Sequence, residues 1–162
     1  MADVYFAGIR ARGHHESKIA KIRRLFDAAG FDAVIRPGDL AAVKLHFGER
    51  GCDTYLHPLF ARQVVDKIKE RGAQPFLTDT ATLYAGSRAN AVRHTVTAIE
   101  HGFAYAVSGA PVIVADGLTG GYWKEVAVGG KHFERVRIAG SILDADSMIV
   151  LSHVKGHDLA GF

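Results

Sequence analysis

Ala42-Val-Lys-Leu-His-Phe47, followed by a helical segment at 58–71 and then by Pro75-Phe-Leu-Thr-Asp79, reads as strand, helix, strand. The helix has Pro58 in its first turn, Phe60, Val64 and Ile68 on one face, and Gly72 just past its end. A helix of this length between two β-rich apolar runs is a crossover unit, which makes the strands parallel and the connection right-handed. The pattern extends outward in both directions. Residues 16–29 repeat apolar positions at helical spacing before Gly30, and Val4-Tyr-Phe-Ala7 precedes them as a first strand. Residues 87–101 form a further helix with Ser87 as its cap and Gly102 after it. Pro111-Val-Ile-Val-Ala115 and the run 147–151 are strands, the last apolar enough to be expected inside the sheet. Residues 124–128 and 131–138, split by Gly129-Gly130, read as an antiparallel hairpin. The expected fold is therefore α/β: a mainly parallel sheet flanked by helices, with a hairpin insertion, in a single domain covering 1–162.

Composition supports a folded domain. Hydrophobic residues make up 48% of the 162, enough for a sizeable core. No apolar run reaches the ~20 residues of a membrane span, and the N-terminus has no signal-segment pattern. A single cysteine, Cys52, excludes an internal disulfide and fits a reducing, cytoplasmic setting. It also leaves the chain short of the four thiolates that an iron–sulfur cluster usually takes. The net charge of +3 is spread over helix faces and no basic–aromatic motif is present, so neither nucleic acid nor membrane is an expected partner.

Ligands of open parallel sheets bind beyond the carboxyl ends of the strands, and four strands here end in polar residues. Lys44 and His46 alternate with Val43, Leu45 and Phe47, so the two polar side chains share one face: a wet face or a site. Asp79 opens a hydroxyl-rich loop and either orients a ligand or makes an Asx turn. Asp116 precedes Gly117, Gly120 and Gly121, but no Gly-Lys-Ser/Thr follows, so the segment is no P-loop. The last strand runs into Ser152-His-Val-Lys-Gly-His157, whose His153 and His157 have a zinc-ligand spacing but lie on a loop. His14, His15, His94, His101 and His132 are expected at the surface. No nucleophile elbow occurs. The candidate ligand-binding residues are Lys44, His46, Asp79, Asp116 and Lys155, with His153 and His157 as candidate metal ligands. Lys44 and Lys155 suit a small anionic group, the aspartates suit orientation of a ligand or of a divalent metal, and the histidines suit metal ligation or proton transfer.

Several strings in order, Val43-Lys-Leu-His-Phe-Gly-Glu49, Pro75-Phe-Leu-Thr-Asp-Thr80, Thr82-Leu-Tyr-Ala-Gly-Ser-Arg-Ala-Asn-Ala91, Val112-Ile-Val-Ala-Asp-Gly117 and Leu151-Ser-His-Val-Lys-Gly-His157, resemble the uncharacterised iron–sulfur centre proteins of domain-of-unknown-function family 362. The resemblance implies an electron-transfer context, with any cluster carried by a cysteine-rich downstream segment, and implies that the chain is the N-terminal part of a longer protein. It assigns no reaction. On this reading the terminal loop is loosely held, Leu159 and Phe162 leave apolar surface, and the chain self-associates. A non-catalytic interaction domain is the alternative.

Overall fold

The computed structural model describes residues 2–157 and 161. Four strands, β1 (Leu40–Leu45), β2 (Gln74–Asp79), β3 (Val112–Val114) and β6 (Ser147–Leu151), form a parallel sheet in the order β3-β2-β1-β6. A separate antiparallel pair joins β4 (Trp123–Ala127) to β5 (Arg135–Ala139). The helices are α1 (Lys18–Ala28), α2 (Pro58–Glu70), α3 (Ala91–Glu100), α4 (Tyr105–Ser108) and α5 (Gly140–Leu143). The fold is thus α/β, with the predicted parallel sheet, flanking helices and hairpin.

One face of the sheet carries the core. Register aligns Val43 with Leu77 and Ile149, and all three pack with Phe26 of α1, Ala61, Val64, Val65 and Ile68 of α2, and Ala98 of α3. Pro58 at the first turn and a run of buried positions at helical spacing make α2 the central helix of that layer. The opposite row is Lys44, Thr78, Ile113 and Val150. Among the described residues no long helix covers it, and Met148 and Val150 stay 46% and 52% exposed.

Three expectations are corrected. The first strand does not form: Val4 and Phe6 are 91% and 89% exposed, and residues 4–7 pair with no strand. Local β propensity is realised only when a partner edge accepts it, and the segment is instead held against α1, where the Lys21 ammonium donates to the carbonyls of Gly8 and Arg10. Second, β6 is an edge strand, not an interior one. Its apolar residues serve two different faces, Ile149 toward the core and Met148 and Val150 toward the open one, which a continuous apolar run does not reveal. Third, α3 begins at Ala91. Asn90 caps it by accepting from the Arg93 amide, which leaves Ser87 in the preceding loop. No helix among the described residues is long and apolar enough to cross a membrane. The predicted apolar surface at Leu159 and Phe162 lies outside the described residues.

Candidate functional site

Because β1, β2, β3 and β6 are parallel, the segments bearing Lys44–His46, Asp79, Asp116 and His153 leave the sheet at one edge. Lys44 and Asp79 come from adjacent strands, and the ammonium lies 3.5 Å from Asp79 Oδ1. The other carboxylate oxygen receives Arg88 Nη1 at 3.3 Å. Arg88, 5% exposed, reaches further to Glu49, donating through Nε at 2.8 Å and Nη2 at 2.6 Å. Glu49 also accepts from the Tyr84 hydroxyl at 2.6 Å and from Ser87 at 3.1 Å. A buried guanidinium thus ties the loop after β1 to the end of β2. A planar fork with five donors serves two carboxylates from separate edges in one fixed geometry, which a point-charge ammonium does not reproduce.

The electrostatics follow from these contacts. Burial raises the Glu49 carboxyl, but hydrogen bonds from Arg88, Tyr84 and Ser87 outweigh it and hold the group at about 2. Glu49 therefore stays ionised and Arg88 stays paired. His46 is pushed below its ordinary value, first by burial and then by the Arg88 charge. Its Nδ1 accepts from the Gly48 amide at 2.8 Å, which selects the neutral tautomer protonated on Nε2. Both Asp116 oxygens accept from the Ala81 amide at 3.0 Å, so this carboxylate positions the loop after β2.

The edge also forms one wall of a cleft of about 380 Å³. Lys44, Asp79, Thr80 and Ala115 line it from the sheet ends, Met148 and Val150 from β6, and Arg137, Ile138, Ala139 and Ile142 from β5 and α5. The far wall is anchored to the sheet by backbone bonds from Ser141 N to Ala115 O (3.1 Å) and from Tyr122 N to Asp116 O (2.8 Å).

The structure brings Lys44, His46, Asp79 and Asp116 together. His153, Lys155 and His157 follow β6 on an exposed segment. Among the described residues, Lys155 donates only to the carbonyl of its neighbour Gly156, at 3.3 Å, and neither it nor His153 shares a hydrogen bond or ion pair with the Lys44–Asp79–Arg88 group. The His157 backbone pairs with Gly161. Among the described residues no group of three or more His, Cys, Asp or Glu side chains is arranged to hold a metal ion. A cluster fits no better, given one cysteine.

Three contributors escaped the sequence reading: Arg88, Glu49 and His94. A lone arginine in a loop between a strand and a helix is an ordinary surface feature, and only the fold shows it buried. His94, expected at the surface, is fully buried on α3 with its ring edge-on to Phe47, and neither ring nitrogen has a hydrogen-bond partner among the described residues. Its spacing of three and four residues from Thr97 and Ala98, both buried, was the available signal.

No curated protein and no solved structure matches the chain. The family model described as Domain of unknown function (DUF362) matches residues 41–162, from the start of the sheet onward. The chain therefore belongs to the DUF362 family.

Proposed function

We propose that this domain binds a small anionic ligand at the carboxyl edge of its parallel sheet and does so in a redox-associated setting. One observation carries the reading. The Lys44 ammonium stands at the edge, its side chain 43% exposed, with Asp79 at 3.5 Å as its single ionic neighbour and no hydrogen bond among the described residues. Asp79 is at the same time committed to Arg88. A cation without hydrogen-bonded acceptors at a strand end, in the crevice where open sheets bind ligands, is an anion's natural contact. In this proposal Lys44 holds the anionic group. Asp79 and Arg88 fix Lys44 in place, Asp116 shapes the adjoining loop, His46 offers Nε2–H as a donor, and Lys155, His153 and His157 close over the ligand from the β6 side.

The redox setting comes from the resemblance to iron–sulfur centre proteins. A cluster would draw its thiolates from outside these residues, and no step here is routed through one. The divalent-metal reading has weaker support, because the edge carboxylates are engaged by Arg88, Lys44 and the Ala81 amide. The second reading, a non-catalytic interaction domain, is favoured by the exposed apolar side chains at the sheet's two outer strands, Ile113 on β3 and Met148 and Val150 on β6.

Isothermal titration with inorganic phosphate separates them. Saturable binding that Lys44→Met weakens by roughly tenfold, the value of one charge-assisted contact, supports the anion site. Absence of saturable binding, or equal binding by Lys44→Met, rejects it and leaves the interaction domain.

A further inference from the structure

The geometry points to a ligand that is anionic at one end and apolar at the other, an amphiphilic organic phosphate or carboxylate seated in the cleft between the sheet edge and β5–α5. The inference rests on the anion reading above and extends it to a ligand class and to two further residues, Thr80 and Arg137.

The cleft is divided by chemistry. Three side chains with unspent donors line it: Lys44, the exposed Thr80 and Arg137. None of the three side chains makes a hydrogen bond among the described residues. Arg137 is only weakly compensated, with Glu125 at 4.0 Å, and its guanidinium sits over the Trp123 ring at 4.0 Å from the centroid. Stacking fixes the plane of a guanidinium while leaving its edge donors free, which is the arrangement that suits a planar or tetrahedral anion. Asp79 is the one carboxylate in the lining, and both its oxygens face cations. The cleft therefore offers two cations and a hydroxyl, and no carboxylate without a cationic partner. Its remaining lining is Ala115, Ile138, Ala139, Ile142, Met148 and Val150. Its volume lies in the range of small-molecule sites, in which apolar walls hold the body of the ligand and a few polar groups fix its orientation. A bare inorganic anion would leave that apolar wall wet. A ligand with an apolar body removes it from water at about 25 cal/mol per Å².

The test uses phenyl phosphate, inorganic phosphate and phenol as probes in isothermal titration of the full chain. Phenyl phosphate is expected to bind at least about tenfold more tightly than inorganic phosphate, the gain from burying a few apolar carbons. Phenol, which lacks the anion, is expected to bind more weakly than phenyl phosphate by a similar factor. Arg137→Gln and Thr80→Val, both at exposed side chains, should weaken phenyl phosphate binding with an unchanged thermal midpoint. Ile142→Asn should bring phenyl phosphate down to the affinity of inorganic phosphate. Equal affinity for the two phosphates overturns the amphiphilic class and leaves the anion site standing. Binding of phenol as tight as phenyl phosphate, or unaltered binding by both Arg137→Gln and Thr80→Val, also overturns it. No binding of either phosphate defeats this inference and the anion reading together.

Discussion

At the scale of residues, Arg88 is the side chain on which the candidate site is built. It is buried between Asp79 and Glu49, and its removal leaves the buried Asp79 with Lys44 alone and Glu49 with only Tyr84 and Ser87. Arg88→Met is expected to cost about 3–5 kcal/mol, the usual consequence of breaking a buried pair from one side. Arg88→Lys should recover only part of it, since an ammonium lacks the planar fork that holds Glu49 through Nε and Nη2 while Nη1 reaches Asp79. Urea denaturation measures both, and a loss below 1 kcal/mol for the methionine variant would show that the bridge is not structural. The same residues set the pH response. His46 and His94 have folded-state values below their unfolded ones, both first through burial. Their charged neighbours are Asp79, Asp116, Arg88, Glu49 and Lys44. Above about pH 6.5 both states are neutral and the histidines do not affect stability. Below it the unfolded chain takes up protons that the folded chain resists, so stability falls with pH. Glu49 adds a second stage with the same sign: its contribution is complete above the unfolded value and is lost as pH falls toward about 2. That stage is on the order of 1 kcal/mol once solvent screening of the partly exposed carboxylate is allowed for. Unfolding free energy measured from pH 7.5 to 4 should decline from the histidine range onward, and His94→Phe should flatten the first part of that decline. A flat wild-type profile down to pH 5 would contradict the burial assigned to the two imidazoles.

Among the elements, the boundary of α3 separates two kinds of loop residue. Asn90 caps the helix, whereas Ser87 binds Glu49 and accepts the Arg50 amide. Asn90→Ala should cost about 1 kcal/mol and show as faster amide exchange in the first turn of α3. Ser87→Ala should leave that exchange unchanged. Equal effects at the two positions would put the helix start at Ser87 after all. The loop after β1 depends in turn on Gly48. Its φ is +89°, and a Cβ there would lie 2.5 Å from the Tyr55 ring and 2.9 Å from His101 Nδ1. Those rings stack on each other, and His101 bonds the Phe47 carbonyl at 2.8 Å. Gly48→Ala is therefore expected to destabilise by about 1–3 kcal/mol from backbone strain and crowding together; a thermal midpoint equal to wild type would argue against both. These elements also show what was legible beforehand. The β1–α2–β2 unit was readable because periodicity, Pro58 and Gly72 all agreed. The segment at residues 4–7 was misread because its residues favour a strand and no pattern in one sequence says whether an edge will receive it. β6 was placed within the sheet because apolarity records burial and exposure to an uncovered face in the same letters.

For the molecule as a whole, the parallel topology is what brings scattered polar residues to one edge and makes them a candidate site. Lys44, Asp79 and Asp116 are far apart in sequence, and the shared strand direction alone delivers them to one edge. That shared direction follows from the alternation of strands and helices, so the common edge of these residues was legible. The network inside it was not, because Arg88 and Glu49 meet across loops whose path no periodicity encodes. Nor was the position of the hairpin, whose β5 strand brings Arg137 and Ile138 against the sheet edge. The central claim is that this edge is an anion site. Amide chemical shifts recorded during titration with inorganic phosphate test it most directly. Saturable changes are expected at 44–49, 79–81 and 115–117, abolished by Lys44→Met. Changes confined to other surfaces, or none at all up to high concentration, would contradict it.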